Sequence, residues 1–185
     1  MKEKNTKTVT VFCASSDNLS EQIKLLSARF AELLAKKNCH MIYGGTSTGL
    51  MGTIANAYKE AGGHLIGIVP EYFIKRGEKY SLLDETHYVS SVSERKQMMV
   101  KLSDALIMLP GGIGTYDEFF DALARKQLGQ CVASIYIFNA CGFYDKFLEM
   151  LAYGVENGAI TSETMQLFKV FDSPEKLAED INLKQ

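Results

Sequence analysis

Short apolar runs alternate along the chain with longer segments in which apolar residues recur every three or four positions. The short runs are rich in valine, isoleucine and leucine without strict polar alternation, which predicts strands that are buried on both faces. The predicted strands cover residues 8–13, 40–43, 64–69, 105–109, 132–138 and, as an edge strand, 167–171. The longer segments have the period of one helix face, so we expect helices between the strands.

The predicted helices follow the strands in turn. Ser20 is expected to cap the first helix, which ends at residues 36–38, and Pro174 is expected to be the first residue of a short last helix. The other helices are predicted at residues 50–60, 91–103, 114–128 and 143–157. Residues 71–88 fit neither pattern and carry no assignment. Strands that are each followed by a helix predict an α/β, Rossmann-like doubly wound parallel sheet with helices on both faces, because right-handed crossovers lie over the sheet.

Composition and charge narrow the class of protein. A chain of 185 residues, of which 46% are hydrophobic, can bury a sizeable core, and we expect residues 1–185 to form a single domain. The 20 basic and 22 acidic residues give a formal net charge of −2, which provides no overall field for a nucleic-acid backbone. No apolar stretch has the length of a signal peptide or a membrane span. We therefore expect a cytoplasmic protein that binds neither nucleic acid nor membrane.

The residues that commonly bind metals are scattered singly along the chain. They are Cys13, Cys39, Cys131, Cys141, His40, His64 and His87. No CxxC pair and no histidine at zinc-finger spacing occurs, so neither a zinc site nor a disulfide framework is indicated. We expect buried thiols, histidines at strand ends or on the surface, and no metal site.

The sharpest local signal is the segment LPGGIGTYDE at residues 109–118, in which a buried strand passes through three glycines into a helix. Glycines let main-chain N–H groups approach an anion, and the helix N-terminus adds unpaired donors and the positive end of its dipole. The donors of such a phosphate site would be Gly111, Gly112, Gly114 and Thr115. The alternative is a capping box, in which Thr115 caps the helix and Glu118 reaches back to it.

A second glycine loop, YGGTSTGLMG at residues 43–52, also connects a predicted strand to a predicted helix. Gly44 and Gly45 could border the same pocket as the first loop, or they could serve tight packing of strand against helix. Both interpretations stay open at this point. The first loop has neither the Lys-Ser/Thr of a P-loop nor the spacing of G-x-G-x-x-G, which disfavours ATP hydrolysis and NAD-dependent hydride transfer.

Between the two loops, SERKQMM at residues 93–99 places Arg95 and Lys96 near the start of a predicted helix. The helix dipole disfavours cations there, so a nearby anion would relieve an otherwise unfavourable placement. A pair of solvated surface charges is the alternative. The pattern alone does not bring Arg95 close to Glu118.

The motifs YGGTSTGLMG, SERKQMM and LPGGIGTYDEFF, in this order and spacing, resemble the Lonely Guy family of cytokinin riboside 5′-monophosphate phosphoribohydrolases. Members of this family are often mislabelled lysine decarboxylases, and the match extends over residues 11–160. The resemblance implies a Rossmann-like homodimer that hydrolyses the N-glycosidic bond of a nucleoside 5′-monophosphate without a cofactor. The expected substrates are AMP and N6-substituted cytokinin nucleotides, and the products are a free base and ribose 5-phosphate.

The resemblance also assigns roles by matching position. Arg95 and Glu118 would be the catalytic pair, Lys96 would assist Arg95 in binding the nucleotide, and the glycine loop with Thr115 would hold the phosphate. A carboxylate near the sugar can stabilise the positive charge that develops on the ribosyl group as the bond breaks. A family glutamate upstream of the ERK motif has Glu78 as its nearest candidate here. The alternative function is a non-catalytic nucleotide- or phosphosugar-binding module, which needs the glycines but has no obvious use for Glu118.

The chain departs from the family pattern at a few positions. Thr46 stands where the family commonly has a third glycine, and Ser93 stands where a histidine is frequent. Ala124 and Arg125 replace a Thr-Trp pair. We expect these departures to affect base preference more than the reaction itself.

Overall fold

The structure, a computed structural model, describes residues 6–71 and 80–181. The strands are β1 (Thr8–Phe12), β2 (His40–Tyr43), β3 (His64–Pro70), β4 (Glu85–Val89), β5 (Ala105–Met108), β6 (Ser134–Phe138) and β7 (Phe168–Phe171). The helices are α1 (Glu21–Ala35), α2 (Gly49–Glu60), α3 (Val92–Lys101), α4 (Ile113–Gln127), α5 (Asp145–Glu156) and α6 (Pro174–Asp180). Among the described helices, none combines the length and the apolar character that crossing a bilayer requires.

The seven strands form one parallel sheet in the order β4-β3-β2-β1-β5-β6-β7. The chain therefore builds the sheet outward from β1 to β4, returns to place β5 against the other side of β1, and continues outward to β7. The direction of winding reverses between β1 and β5, and this is the switch point at which doubly wound sheets bind ligands. The predicted Rossmann-like α/β fold is confirmed.

The strands inside the sheet, β1, β2, β3, β5 and β6, each contribute to two cores, one on each face of the sheet. In β5, Ala105 and Ile107 belong to the core under α1, α2 and α6, while Leu106 and Met108 belong to the core under α3, α4 and α5. Because alternate side chains enter opposite cores, a central strand needs an unbroken apolar sequence. This explains why ALIM carries no polar alternation.

Strand β4 lies at one edge of the sheet and, except for its last residue, within residues 71–88, whose pattern predicts neither strand nor helix. The first four residues of its sequence ETHYV are exposed or half-buried, and only Val89 is buried. An edge strand that is half-solvated lacks the apolar run that marks the central strands. The other edge strand, β7, lies where the sequence predicts it.

Helix ends follow the predicted signals closely. The Ser20 hydroxyl accepts a hydrogen bond from the Ile23 N–H at 3.3 Å, and Pro174 opens α6. The predicted helix boundaries agree with the structure within about two residues, which is the usual uncertainty of such assignments.

The cysteines and histidines are placed mainly as expected. Three thiols are buried, but Cys141 is exposed, so the expectation of a buried thiol is wrong there. Cys141 is the middle residue of the short 3-10 helix Ala140–Gly142 and has a left-handed backbone conformation, with φ 55°. His40 and His64 are the first residues of the neighbouring strands β2 and β3, and their rings stack at 4.1 Å. They therefore lie at the amino ends of the strands, opposite the switch point.

Candidate active site

A cavity of about 610 Å³ lies at the carboxyl edge of the sheet, where β1 and β5 end. Its walls come from the loops after β1 and β2, from the first turn of α3, and from the first two turns of α4. These segments are distant in sequence, and the parallel topology brings them to the same edge. The cavity therefore occupies the position that the fold provides for a ligand.

The N-terminus of α4 opens into this cavity. The helix begins at Ile113 with Gly112 at the N-cap and without a side-chain cap from the described residues. The first N–H groups of a helix have no intrahelical acceptor, so they can bind an anion. Gly112, Gly114 and Thr115 line the cavity beside these donors.

The capping box considered for Thr115 is not formed. Thr115 is the third residue of α4 rather than its cap, and its side chain is buried beneath the loop. A Cβ on Gly111 would overlap the Thr115 side chain, so the close fit of these two residues requires glycine. Glu118 faces Arg95 instead of turning back to the helix start.

The second glycine loop is arranged differently from the first. Two N–H groups in the first turn of α2 donate to the loop after β1, from Gly49 to Asp17 Oδ1 at 3.0 Å and from Met51 to the Ala14 carbonyl at 3.3 Å. Gly49 has φ +59° and lies against the backbone of Ser15. The donors of this loop therefore serve close packing, since the chain itself occupies them. The loop also borders the same cavity as the first loop, through Thr46, Thr48 and Met51.

Gly44 and Gly45 lie behind the cavity wall and do not line the cavity. A Cβ on Gly44 would lie 2.5 Å from Arg95 Nη2 and 2.9 Å from Met51 Sδ. Gly45 has φ +78° and packs against Val69. Gly44 therefore provides the space in which the Arg95 guanidinium lies.

Arg95 and Glu118 meet inside the cavity across the α3–α4 contact. Arg95 Nη2 lies 3.6 Å from Glu118 Oε1, and the two side chains are only 13% and 14% exposed. The Arg95 Nε is buried and has no hydrogen-bond partner among the described residues. A buried guanidinium with unused donors can still bind an incoming oxygen.

The environment of Glu118 changes its acidity. Burial raises the pKa of Glu118 to about 7, and the charge of Asp117 adds to the rise, while Arg95 and Lys96 oppose it. Both protonation states are therefore populated near neutral pH. A carboxylate of this kind can act in general acid–base catalysis or stabilise a developing cation.

Lys96 forms a second contact between the same two helices. Its Nζ lies 2.8 Å from each carboxylate oxygen of Asp117, which is 53% exposed. Asp117 lines the cavity, whereas Lys96 does not. The pairs Lys96–Asp117 and Arg95–Glu118 thus lie side by side and hold α3 against α4.

A helix cap that the sequence pattern does not predict lies just before Arg95. The Ser91 hydroxyl accepts from the Glu94 N–H at 3.2 Å, and the Glu94 carboxylate accepts from the Ser90 N–H at 2.8 Å. This reciprocal arrangement resembles a capping box and fixes the start of α3. Because the start of α3 is fixed, the direction in which the Arg95 side chain projects from the helix is fixed as well.

The loop after β1 also belongs to the site, although no motif in the sequence indicates it. Ser15, Ser16 and Asp17 line the cavity opposite α4, together with Thr46 and Thr48 from the loop after β2. The fold class does predict a role for this loop. β1 and β5 are central strands, so the loops that follow them must meet at the carboxyl ends of the strands, where ligands bind. These hydroxyl groups and the Asp17 carboxylate make this wall polar.

The departures from the family pattern lie at different distances from the cavity. Thr46 lines it, and its hydroxyl contacts Met51 Sδ at 3.6 Å. Arg125 lies on α4 away from the cavity and pairs with Asp121 at 2.7 Å. Glu78, the candidate for the upstream family glutamate, lies outside the described residues.

Comparison with known proteins gives consistent matches. A family model described as "Possible lysine decarboxylase" matches residues 51–181. The chain is 35% identical over 159 residues to a cytokinin riboside 5′-monophosphate phosphoribohydrolase of Rhodococcoides fascians, covering 85% of this chain and 80% of the relative. An Arabidopsis thaliana protein of the same name is 33% identical, with 86% and 75% covered.

A solved structure supports the fold independently. The molybdenum cofactor carrier protein of Chlamydomonas reinhardtii superposes with a TM-score of 0.72 at 20% identity, covering 95% of this chain and 96% of that protein. At this identity the likeness concerns the fold alone.

Proposed function

The chain belongs to the Lonely Guy family of cytokinin riboside 5′-monophosphate phosphoribohydrolases, as its motifs predict, and from this premise we propose that it hydrolyses the N-glycosidic bond of a nucleoside 5′-monophosphate. The products are a free base and ribose 5-phosphate. The observation that carries the proposal is the placement of Glu118, paired with Arg95, in the same cavity as the open N-terminus of α4.

The spacing along α4 suits a nucleotide with one phosphate. Thr115 and Glu118 are separated by about one helical turn, which rises roughly 5 Å. In a nucleoside 5′-monophosphate, the phosphate and the ribose C1′ are separated by C5′ and the sugar ring, a span of similar size. A phosphate bound at Gly112, Gly114 and Thr115 therefore places the sugar beside Glu118.

In the proposed mechanism, the N–H groups at the start of α4 hold the phosphate and the Glu118 carboxylate faces the ribose. The glycosidic bond breaks with positive charge on the ribosyl group, and the carboxylate stabilises that charge or positions the attacking water. The water oxygen bonds to C1′, and the departing base takes up a proton, so that one water is consumed for each nucleotide. Arg95 favours the ionised form of Glu118 and orients its carboxylate. Lys96 acts through Asp117, and Gly44 makes room for Arg95.

Two other functions fit the cavity less well. A binding module would gain nothing from a buried carboxylate beside an anion site, because the two negative charges repel each other. A pyridoxal-dependent lysine decarboxylase needs a lysine for its Schiff base, and the described residues that line the cavity include none.

We propose AMP and N6-substituted AMP derivatives as the substrates. Purified protein incubated with AMP, GMP, CMP, UMP and N6-isopentenyl AMP should release adenine and N6-isopentenyladenine faster than the other bases, with free base measured by chromatography. Preferential release of guanine or a pyrimidine would contradict the proposed base preference while leaving the reaction class intact.

We propose further that the protein acts as a cytoplasmic homodimer. The described cysteines are unpaired, as in proteins of a reducing compartment. Along α4 and just beyond it, Ile113, Phe120 and Leu128 are 85%, 40% and 72% exposed and follow helical spacing. Such an apolar stripe suits a self-complementary twofold contact.

Substitution of Leu128 tests the dimer. Wild-type protein should show twice the chain mass in size-exclusion chromatography with light scattering, and Leu128→Glu should shift it toward the monomer. Leu25→Glu is the matched control, since Leu25 is a leucine of similar exposure, 68%, on α1. A monomeric wild-type protein at micromolar concentration, or equal dissociation by both variants, would contradict the proposal.

A further inference from the structure

Tyr144 contacts the strand that leads into the glycine loop. Its hydroxyl donates a hydrogen bond to the Leu109 carbonyl at 2.7 Å, and its side chain is fully buried. Leu109 immediately precedes Pro110 and Gly111, so this bond holds the backbone at the entrance of the loop. Burial raises the pKa of the Tyr144 phenol, which keeps the hydroxyl protonated as a donor.

Tyr144 also contacts the residues at the exit of the same loop. The ring of Tyr116, in the first turn of α4, meets the Tyr144 ring edge-on at 5.9 Å. Between these two contacts lie Gly112, Gly114 and Thr115, which line the cavity at the start of α4. One buried side chain therefore touches the glycine loop on both sides of its anion-binding donors.

The backbone of Tyr144 is itself fixed. Its N–H donates to Asn139 Oδ1 at 2.7 Å, and its ring packs edge-on against both Phe143 and Phe147. On the opposite side of the loop, the Ala14 N–H donates to the Pro110 carbonyl at 3.1 Å. The glycine loop is thus held between two groups, the Ala14 N–H and the Tyr144 hydroxyl. Of these two groups, only the Tyr144 hydroxyl belongs to a side chain.

We propose that Tyr144 is a positioning residue for the phosphate site, acting through Leu109 and Tyr116 to aim the N–H groups of the glycine loop at the 5′-phosphate. The inference rests on the proposed function for the identity of the ligand. Preorganised donors bind an oxyanion more tightly than donors that must be ordered on binding.

Tyr144→Phe tests this role because it removes the hydroxyl and keeps the ring. Tyr58→Phe is the matched control, since the Tyr58 hydroxyl is buried and donates to the Cys39 carbonyl at 2.6 Å away from the cavity. Loss of one buried hydrogen bond should lower the melting temperature of both variants by a similar few degrees.

Titration calorimetry with ribose 5-phosphate and steady-state kinetics with AMP give the decisive readouts. Tyr144→Phe should weaken ribose 5-phosphate binding and raise KM about three- to tenfold, with kcat changed less than KM. Tyr58→Phe should leave both quantities at the wild-type value. Equal affinities in Tyr144→Phe and wild type, equal weakening by both variants, or no binding by the wild type would overturn the proposal.

The positioning role of Tyr144 and the proposed nucleotide hydrolysis are tested separately by these measurements. If the wild type hydrolyses no nucleotide but Tyr144→Phe still weakens ribose 5-phosphate binding selectively, the function is wrong and the positioning role stands. If turnover is present and Tyr144→Phe binds like the wild type, only the positioning role is lost.

Discussion

Glu118→Gln should reduce kcat for nucleotide hydrolysis by about 10²- to 10⁴-fold, the usual contribution of a positioned acid–base or charge-stabilising group. The amide has nearly the shape of the carboxylate but cannot ionise, so it offers no negative charge to the ribosyl cation. Affinity for AMP should stay equal or increase, because the substitution removes a negative charge near the phosphate. Stopped assays of free base and calorimetric titration with AMP measure the two effects separately.

Asp117→Asn is the matched control for this prediction. It changes the neighbouring carboxylate, which also lines the cavity but is 53% exposed and already paired with Lys96. Turnover should fall far less than in Glu118→Gln, and both variants should unfold cooperatively near the wild-type temperature. Equal loss in the two variants would show that general negative charge, not Glu118 itself, matters.

Arg95→Met should lower kcat/KM by about 10²-fold or more and shift its pH dependence. With the pKa of Glu118 at about 7, wild-type kcat/KM should rise with pH through a midpoint near 7 if the ionised carboxylate is required. Arg95 favours the ionised form, so its removal raises the pKa. The midpoint should therefore move upward by about one pH unit, since a close opposite charge commonly lowers a carboxyl pKa by 1–3 units.

Two comparisons show whether a shifted midpoint comes from the effect of Arg95 on Glu118. The phosphate of AMP also titrates near pH 6, but it does so equally for every variant. Lys96→Met should shift the midpoint less, because Lys96 influences the pKa of Glu118 more weakly than Arg95 does. In the double variant Arg95→Met/Glu118→Gln the losses should not add, as expected for groups that act together. An unchanged midpoint in Arg95→Met would contradict the coupling.

The sequence predicts the central part of the fold well. Strands such as β5 are short and wholly apolar because their alternate residues enter two cores, and this signal is local. Strand β4 was not predicted, because at a solvated edge its burial pattern contains only one buried residue. The pairing of β1 with β5 is a property of the whole chain, so local patterns do not reveal it.

The residue pattern predicts only the part of the site whose residues are contiguous in sequence. The glycine loop and the start of α4 form one segment, and their anion-binding geometry can be read locally. The approach of Arg95 to Glu118 depends on how α3 packs against α4, and only the family resemblance suggested it. The spacing T-x-x-E at Thr115 suggested a cap that is absent, whereas Ser91 and Glu94 form one that was not expected.

Product analysis after purified wild-type protein is incubated with N6-isopentenyl AMP tests the proposed hydrolysis most directly. We expect free N6-isopentenyladenine and ribose 5-phosphate in equal amounts, with neither product formed by Glu118→Gln above trace level. Release of the nucleoside and inorganic phosphate would indicate a phosphatase. An intact nucleotide that nevertheless binds would contradict the hydrolase and favour the non-catalytic binding module.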